Sequence, residues 1–327
     1  MAKKDLLKER IVYKPFEYQE AADYWLKQHQ AHWLHTEVPM MSDITDWNSN
    51  LNETEKNIIG SILKGFAQTE TVVNDYWSGL VTKWFRKPEV IMMATTFGAF
   101  ETIHAEAYSL LNETLGLDNF DEFMEDEATM AKIEALTSVR DSFNGEKDIH
   151  EIAKSLAIFS AFTEGVNLFS SFAVLLSFKM RNKLKGVGQI VEWSIRDESL
   201  HSEAGCWLFR TLIAENPQIK TPELEAAINE AALLSLKLEI DFINKVYELG
   251  DLEGCNKSDL IHFIKNRVNT KLADLGYKPI IDKVDMTAVG RMKWFDHLSA
   301  GKQHTDFFAS RVTNYSKGNM EWDESIF

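Results

Sequence analysis

Residues 99–108 read Ala-Phe-Glu-Thr-Ile-His-Ala-Glu-Ala-Tyr, and residues 195–201 read Ile-Arg-Asp-Glu-Ser-Leu-His. Glu101-x-x-His104 and Glu198-x-x-His201 are the two occurrences of Glu-x-x-His in the chain. On an α-helix, positions i and i+3 share a face, so each tetrad aims a carboxylate and an imidazole at one point. A single tetrad is weak, because Glu and His fall three apart by chance in many helices. The company each one keeps strengthens it. Glu70 lies 31 residues before Glu101, on a face shared with Phe66 and Val73. Glu164 lies 34 residues before Glu198, inside the apolar stretch Ala-Ile-Phe-Ser-Ala-Phe-Thr-Glu-Gly-Val-Asn-Leu-Phe. Spacings near 30 residues are one long helix out, a turn, and a partner helix back. The chain therefore reads as two half-sites, each a Glu followed by Glu-x-x-His, in an all-α bundle of long helices.

Composition agrees. The 327 residues include 16 Gly and 6 Pro, few for the many turns of a sandwich or barrel. Apolar residues make up 45%, with 20 Phe and 9 Trp, enough for a sizeable core. No proline lies between Pro88 and Pro217. A helix is predicted to open at Asn52, where Asn-Glu-Thr-Glu resembles a capping box, and to run past Glu70 to about Thr82. Pro88 suits the first turn of the next helix, which carries Glu101, His104 and Tyr108. Further helices are expected over 122–142, 149–180, 188–214, 222–249 and 257–274. Breaks are expected at Asn144-Gly145, at Gly186-Val187-Gly188 and at Asn216-Pro217. These are short joints, which favours one bundle domain over residues 1–299 and a separate segment over 300–327. The last dozen residues, polar and aperiodic, read as a flexible tail.

The formal charge of −15 repels phosphate backbones and argues against nucleic-acid binding. Cys206 and Cys255 form neither a C-x-x-C pair nor a disulfide framework, as expected for a reducing cytoplasm. The N-terminal residues lack an apolar secretory core. The longest charge-free apolar stretch, Gly165 to Phe178, has 14 residues, short of the roughly 20 that span a bilayer. A soluble, cytoplasmic protein with no membrane partner is the expectation.

Four carboxylates buried together repel, at several kcal/mol for each unpaired ion. Two divalent cations supply the opposing charge, and hard oxygen donors with two imidazoles suit iron or manganese. Four helices that bring one Glu each, two of them in Glu-x-x-His, are the donor set of dinuclear carboxylate bundles. Other candidates read as structure. His29, His32 and His35 have helical spacing but no acid or thiol in period with them. Cys206 points off the ligand face, and Phe162, Phe169 and Phe172 read as core.

Across most of its length the chain resembles the small, radical-generating β subunit of class I ribonucleotide reductase, a ferritin-like fold. Residues 99–108 are similar to that family's ligand helix, which continues four residues past its His to the radical tyrosine, here Tyr108. Residues 195–201 are similar to its Arg-Asp-Glu-x-x-His, and residues 304–315 to the stretch before its flexible tail. The resemblance implies that Glu70 and His104 bind one metal, Glu164 and His201 the other, with Glu101 and Glu198 bridging. It implies that Asp197 links His104 to a tryptophan, best matched by Trp33. It also implies that Tyr315, or else Trp322, passes the radical to the large subunit.

The implied activity is ribonucleoside-diphosphate reduction by a homodimer whose metals are oxidised by dioxygen or superoxide and whose tail docks on the large subunit. The chain offers neither a close dithiol nor a phosphate-cradling glycine loop, so it works as half of an enzyme. One departure stands out: Glu70 occupies a position where the common form has Asp. Glu there resembles manganese-using subgroups, so two manganese ions are favoured over Fe/Fe or Mn/Fe. Tyr108 reads either as radical carrier or as a buried tyrosine hydrogen-bonded to Glu70. The competing classes are a ferritin-like dimetal oxidase or manganese catalase-like protein, and a non-enzymatic helical interaction protein.

Overall fold

A computed structural model describes residues 4–117, 148–248 and 250–299, with isolated positions between 130 and 137. Regular structure among the described residues is helical, apart from a single bridge between Leu252 and Cys255. Of the expected helix over 122–142 only positions 130, 131, 134 and 137 are described, and these are helical; the expected break at Asn144-Gly145 and the segment 300–327, with Tyr315 and Trp322, lie outside the described residues.

Helix α1 spans Gln19–Gln30 and α2 spans Met41–Ser49. Helix α3, Glu53–Asp75, starts on a reciprocal cap: Asn52 Oδ1 accepts from the Glu55 amide at 2.9 Å, and Glu55 Oε2 accepts from the Asn52 amide at 3.0 Å. Helix α4, Pro88–Leu115, takes Pro88 in its first turn, where the missing N–H has no intrahelical partner to lose. It stops at Gly116, whose φ of +68° is the left-handed cap glycine tolerates. Then follow α5 (Ile149–Ile158), α6 (Phe169–Met180), α7 (Lys185–Glu215), α8 (Pro222–Glu248), α9 (Lys257–Asp274), α10 (Met286–Arg291) and α11 (Lys293–Ser299).

Helices α1 and α3 pack on α4, while α5 and α6 pack on α7. Their facing sides supply the core, in which Phe66 meets Tyr108 at 4.8 Å and Phe172 at 5.2 Å between ring centroids. The start of α7 is fixed by α2. Asp43 accepts from the Gly186 and Val187 amides at 3.0 and 2.8 Å, and Asp46 accepts from the Leu184 amide at 2.9 Å. Two carboxylates thus cap the positive end of the helix that carries Asp197, Glu198 and His201.

Four expectations need correction. The helix expected over 149–180 is broken: a π-helical turn, Phe159–Thr163, leads into a non-helical turn over 164–168 before α6 begins. Arg267 Nε donates to the Gly165 carbonyl there, and Leu168 has a φ of +148°. A Cβ at Gly165 would strike the Ala161 carbonyl, so only glycine lets the chain turn so closely. The helix expected to reach Thr82 leaves α geometry at Tyr76–Val81, again a π turn, before a last helical turn at Thr82–Trp84. The break expected at 186–188 falls instead at 181–184, where Asn182 and Leu184 have positive φ; Gly186 and Gly188 already lie in α7. The His29, His32 and His35 spacing is not kept on one helix, since α1 ends at Gln30.

Candidate metal centre

The six proposed ligands come from α3 (Glu70), α4 (Glu101, His104), the turn after the second π segment (Glu164) and α7 (Glu198, His201). None is more than 3% exposed, so no bulk water solvates their charges. Glu70, Glu101, His104 and Glu198 each offer a ligand atom within 4.8 Å of the others, and so do Glu101, Glu164, Glu198 and His201. The two quartets share Glu101 and Glu198. The imidazoles face the carboxylates through Nδ1. His104 Nδ1 lies 3.0 Å from Glu101 Oε2 and 3.1 Å from Glu198 Oε1. His201 Nδ1 lies 2.8 Å from Glu101 Oε1.

Protein groups alone do not satisfy this cluster. Glu70 Oε1 and Glu164 Oε2 are buried without a hydrogen-bond partner among the described residues, and Glu101 Oε1, Glu198 Oε1 and His201 Nδ1 have close ion-pair contacts but no bond of hydrogen-bond geometry. Leaving one such group unpaired costs about 1–3 kcal/mol, more when it is charged. Five that converge call for a ligand that accepts lone pairs, and hard cations meet that need. The donor set therefore fits two divalent ions.

Without cations, protons take their place. Burial, then the Glu101 charge, pushes Glu198 up to about 7. Burial, then neighbouring carboxylates, likewise raises Glu70 and Glu164 well above the ordinary range. Burial also acts on Glu101, but His201 and His104 outweigh it and hold that carboxyl at about 2. Burial opposes charge on both histidines, yet Glu101 and its neighbours raise both above their usual value. The raised groups hold protons that cations would displace, so metal uptake releases protons from the cluster.

The outer contacts of the two histidines differ. Asp197 Oδ2 accepts from Trp33 Nε1 at 2.7 Å and faces His104 Nε2 at 3.2 Å. The Trp33 ring lies nearly parallel to the His104 ring, 5.8 Å away and tilted by 22°. Gln28 Nε2 donates to Asp197 Oδ1 at 3.0 Å, and Gln28 Oε1 faces His201 Nε2 at 3.1 Å. Each imidazole thus has an acceptor at Nε2, which leaves the Nδ1 lone pair for the centre. Tyr108 is fully buried, burial raises its pKa, and its hydroxyl makes no hydrogen bond to Glu70. The Ser194 hydroxyl, the polar group facing it, already donates to the Ile190 carbonyl.

The structure brings Glu70, Glu101, His104, Tyr108, Glu164, Asp197, Glu198, His201 and Trp33 into one contiguous site. Sequence reasoning missed two others. Gln28 ends the buried face of α1 that begins with Ala21 and Tyr24, a polar residue in an apolar register. Trp77 is fully buried, and its Nε1 donates to Glu164 Oε1 at 2.5 Å. Its signal was its place seven residues after Glu70, two turns along the same face. Gln28→Ala is expected to weaken manganese binding in the His201 half by about 10- to 100-fold, read by titration of the metal-free protein. The His104 half should lose less, because Asp197 keeps its bond to Trp33 when the one from Gln28 is gone.

A long-helix bundle with four carboxylates and two imidazoles in its core defines the dimetal-carboxylate class of protein. Comparison with known proteins narrows this. The family model "Ribonucleotide reductase, small chain" matches residues 10–285. The probable ribonucleoside-diphosphate reductase small subunit 048L of Invertebrate iridescent virus 3 is 35% identical, across 97% of this chain and 87% of its own length. Two solved structures share the fold. A putative class I ribonucleotide reductase from Bacillus halodurans superposes with a TM-score of 0.78 at 20% identity, over 86% of this chain and 99% of that one. The dimanganese(II)-NrdF of Streptococcus sanguinis gives 0.73 at 21% identity, over 87% and 99%. The chain belongs to the ribonucleotide reductase small-chain family. No helix among the described residues is long and apolar enough to cross a membrane.

Proposed function

We propose that this chain is the oxidant-generating small subunit of a ribonucleoside-diphosphate reductase, with a metal pair in the six-residue cluster. The observation that carries the reading is the overlap of the two buried donor quartets at Glu101 and Glu198. When bound and activated by dioxygen or superoxide, a metal pair would supply a strong one-electron oxidant. Glu70 and His104 would hold one ion and Glu164 and His201 the other, with Glu101 and Glu198, which belong to both quartets, serving both. Asp197 Oδ2 and Gln28 Oε1 hold the protons of His104 and His201 at Nε2. Phe66, Phe97 and Phe162 exclude water. Trp33, joined to His104 through Asp197, starts the path by which the oxidant is returned to the large subunit, where the ribonucleotide binds. Tyr108 carries the radical: it is buried beside Glu70 and His104, and its phenol keeps its proton until it is oxidised.

Two manganese ions are the favoured pair. Glu70 in place of Asp supports this, and so does the fold shared with a dimanganese protein. Metal analysis and electron paramagnetic resonance after loading and oxidation test the reading, together with an assay for deoxyribonucleotide formation with a large subunit. Fewer than about one ion per chain would overturn the site. Full turnover by Tyr108→Phe would remove Tyr108 as the obligatory radical and place the stored oxidant on the metals.

Residues 300–327 form the docking segment in this reading, with Tyr315 as the radical-transfer residue, and the chain works as a homodimer. Deletion of 316–327 is expected to abolish large-subunit binding while metal content stays unchanged, measured by surface binding and elemental analysis. Undiminished affinity would count against docking through this segment.

A further inference from the structure

The Glu164 side of the centre carries aromatic side chains that the reaction above does not use. Trp77 touches the ligand shell through its N–H bond to Glu164 Oε1 at 2.5 Å, and its ring centroid lies 6.2 Å from that of His201. Tyr76 meets Trp77 edge-on at 5.9 Å, and Trp84 meets Tyr76 edge-on at 6.1 Å. Phe159 lies flat against Tyr76 and fixes its plane. Trp77 and Tyr76 are fully buried, whereas Trp84 is 8% exposed, so the line runs from the ligand shell to the edge of the core. Tyr76 and Trp77 open the π turn at Tyr76–Val81, and both side chains are buried.

Resting on the proposed function, we propose that Trp84, Tyr76 and Trp77 form a second one-electron conduit, from the surface to the Glu164–His201 half of the centre. A soluble one-electron reductant uses it to return the oxidised metal pair to its reduced state. The reductant loses one electron at Trp84, and the metal pair gains one electron through Trp77. No bond is made or broken in the three rings, and every indole and phenol proton stays in place.

The local chemistry assigns each ring a part. The Trp77 N–H rests on a carboxylate, which stabilises positive charge on that indole in a low-dielectric interior. Trp84 Nε1 has no partner among the described residues, so positive charge is less stable there. An oxidising equivalent that reaches Trp77 is therefore held inside until an outside donor fills it. The Tyr76 hydroxyl faces Ser155 Oγ at 3.2 Å, with no base to take its proton, so its ring bridges the indoles without being oxidised. This line is separate from Trp33, Asp197 and His104, which reach the other imidazole.

The test uses the full chain, metal-loaded and oxidised, mixed without oxygen with reduced methyl viologen. Loss of the oxidised centre is followed by absorbance in a stopped-flow instrument. Trp84→Phe keeps an aromatic ring in place but cannot readily carry the charge, and should slow reduction by about tenfold or more. The same slowing is expected in the Trp33→Phe background, because the two routes are independent. Tyr76→Phe keeps the bridging ring and should reduce at the unaltered rate. Metal content and thermal midpoint measured on each variant confirm that the centre compared is intact. An unaltered rate in Trp84→Phe would overturn the conduit. So would equal slowing in Tyr76→Phe, or an effect of Trp84→Phe that vanishes without Trp33. A chain that takes up no metal pair would overturn the functional reading itself, a different and prior failure.

Discussion

Metal-free protein should lose stability steadily as the pH rises from about 5 to about 8, whereas metal-loaded protein should not. The cause is the buried cluster. Glu198 ionises near 4.5 as a free side chain and near 7 in the fold, where burial and the Glu101 charge disfavour its anion. Below 4.5 its proton is held in both states, and its contribution is fully present. As the pH rises towards 7 the unfolded chain gives up that proton first, and the fold loses about 3 kcal/mol by the time both states are ionised. Glu70 and Glu164 are raised in the same direction and extend the loss to higher pH. The raised His104 and His201 add to it: their contribution is present below 6.5 and is lost as the pH passes their folded values. Glu101, held at about 2, opposes only in acid, where its contribution is lost as the pH falls below its ordinary 4.5. Divalent ions hold the same groups deprotonated and add their own binding free energy to the fold. Urea midpoints between pH 5 and 8, with chelator and with excess manganese, check this. A chelated midpoint that climbs with pH would contradict a closed, metal-free cluster.

Glu101→Gln should remove both ions. Its carboxylate belongs to both quartets, touches His104 and His201, and is the one acid of the four held below its ordinary range. The amide is nearly isosteric, so packing survives while the bridging charge is lost. Metal content should fall below about one ion per chain, and nucleotide reduction with the large subunit by about a thousandfold or more, beyond what outer contacts alone contribute. Glu70→Gln, which touches one quartet only, should leave one ion. Elemental analysis of the two variants side by side distinguishes a shared bridge from six independent ligands. Equal loss in both would remove the special position of Glu101.

The clustering of the six residues was legible because i, i+3 spacing and helix-length separations are local facts that the fold preserves. Long helices were legible for the same reason: Asn52 caps and Pro88 starts where their chemistry requires. What escaped was set by tertiary contact. Nothing local announces that Arg267, a hundred residues away, will hold the Gly165 carbonyl and break the helix at Glu164. The stretch after Asp75 carries Gly79, but a lone glycine inside a helical pattern does not by itself mark a π turn. Gln28 was hidden because a glutamine on a short amphipathic helix reads as surface until its partners, Asp197 and His201, are placed against it.

The sequence repeats one pattern twice, but its two halves are not electronically equal. His104 leans on a carboxylate through Asp197, while His201 leans on the neutral amide of Gln28. An imidazole backed by an anion is the stronger donor. In the proposed centre, an ion held by His104 would therefore sit in the more electron-rich coordination, and its higher oxidation level would be the easier of the two to reach. A centre built from a near-symmetric motif thereby acquires a direction, with its electron-rich end facing Trp33.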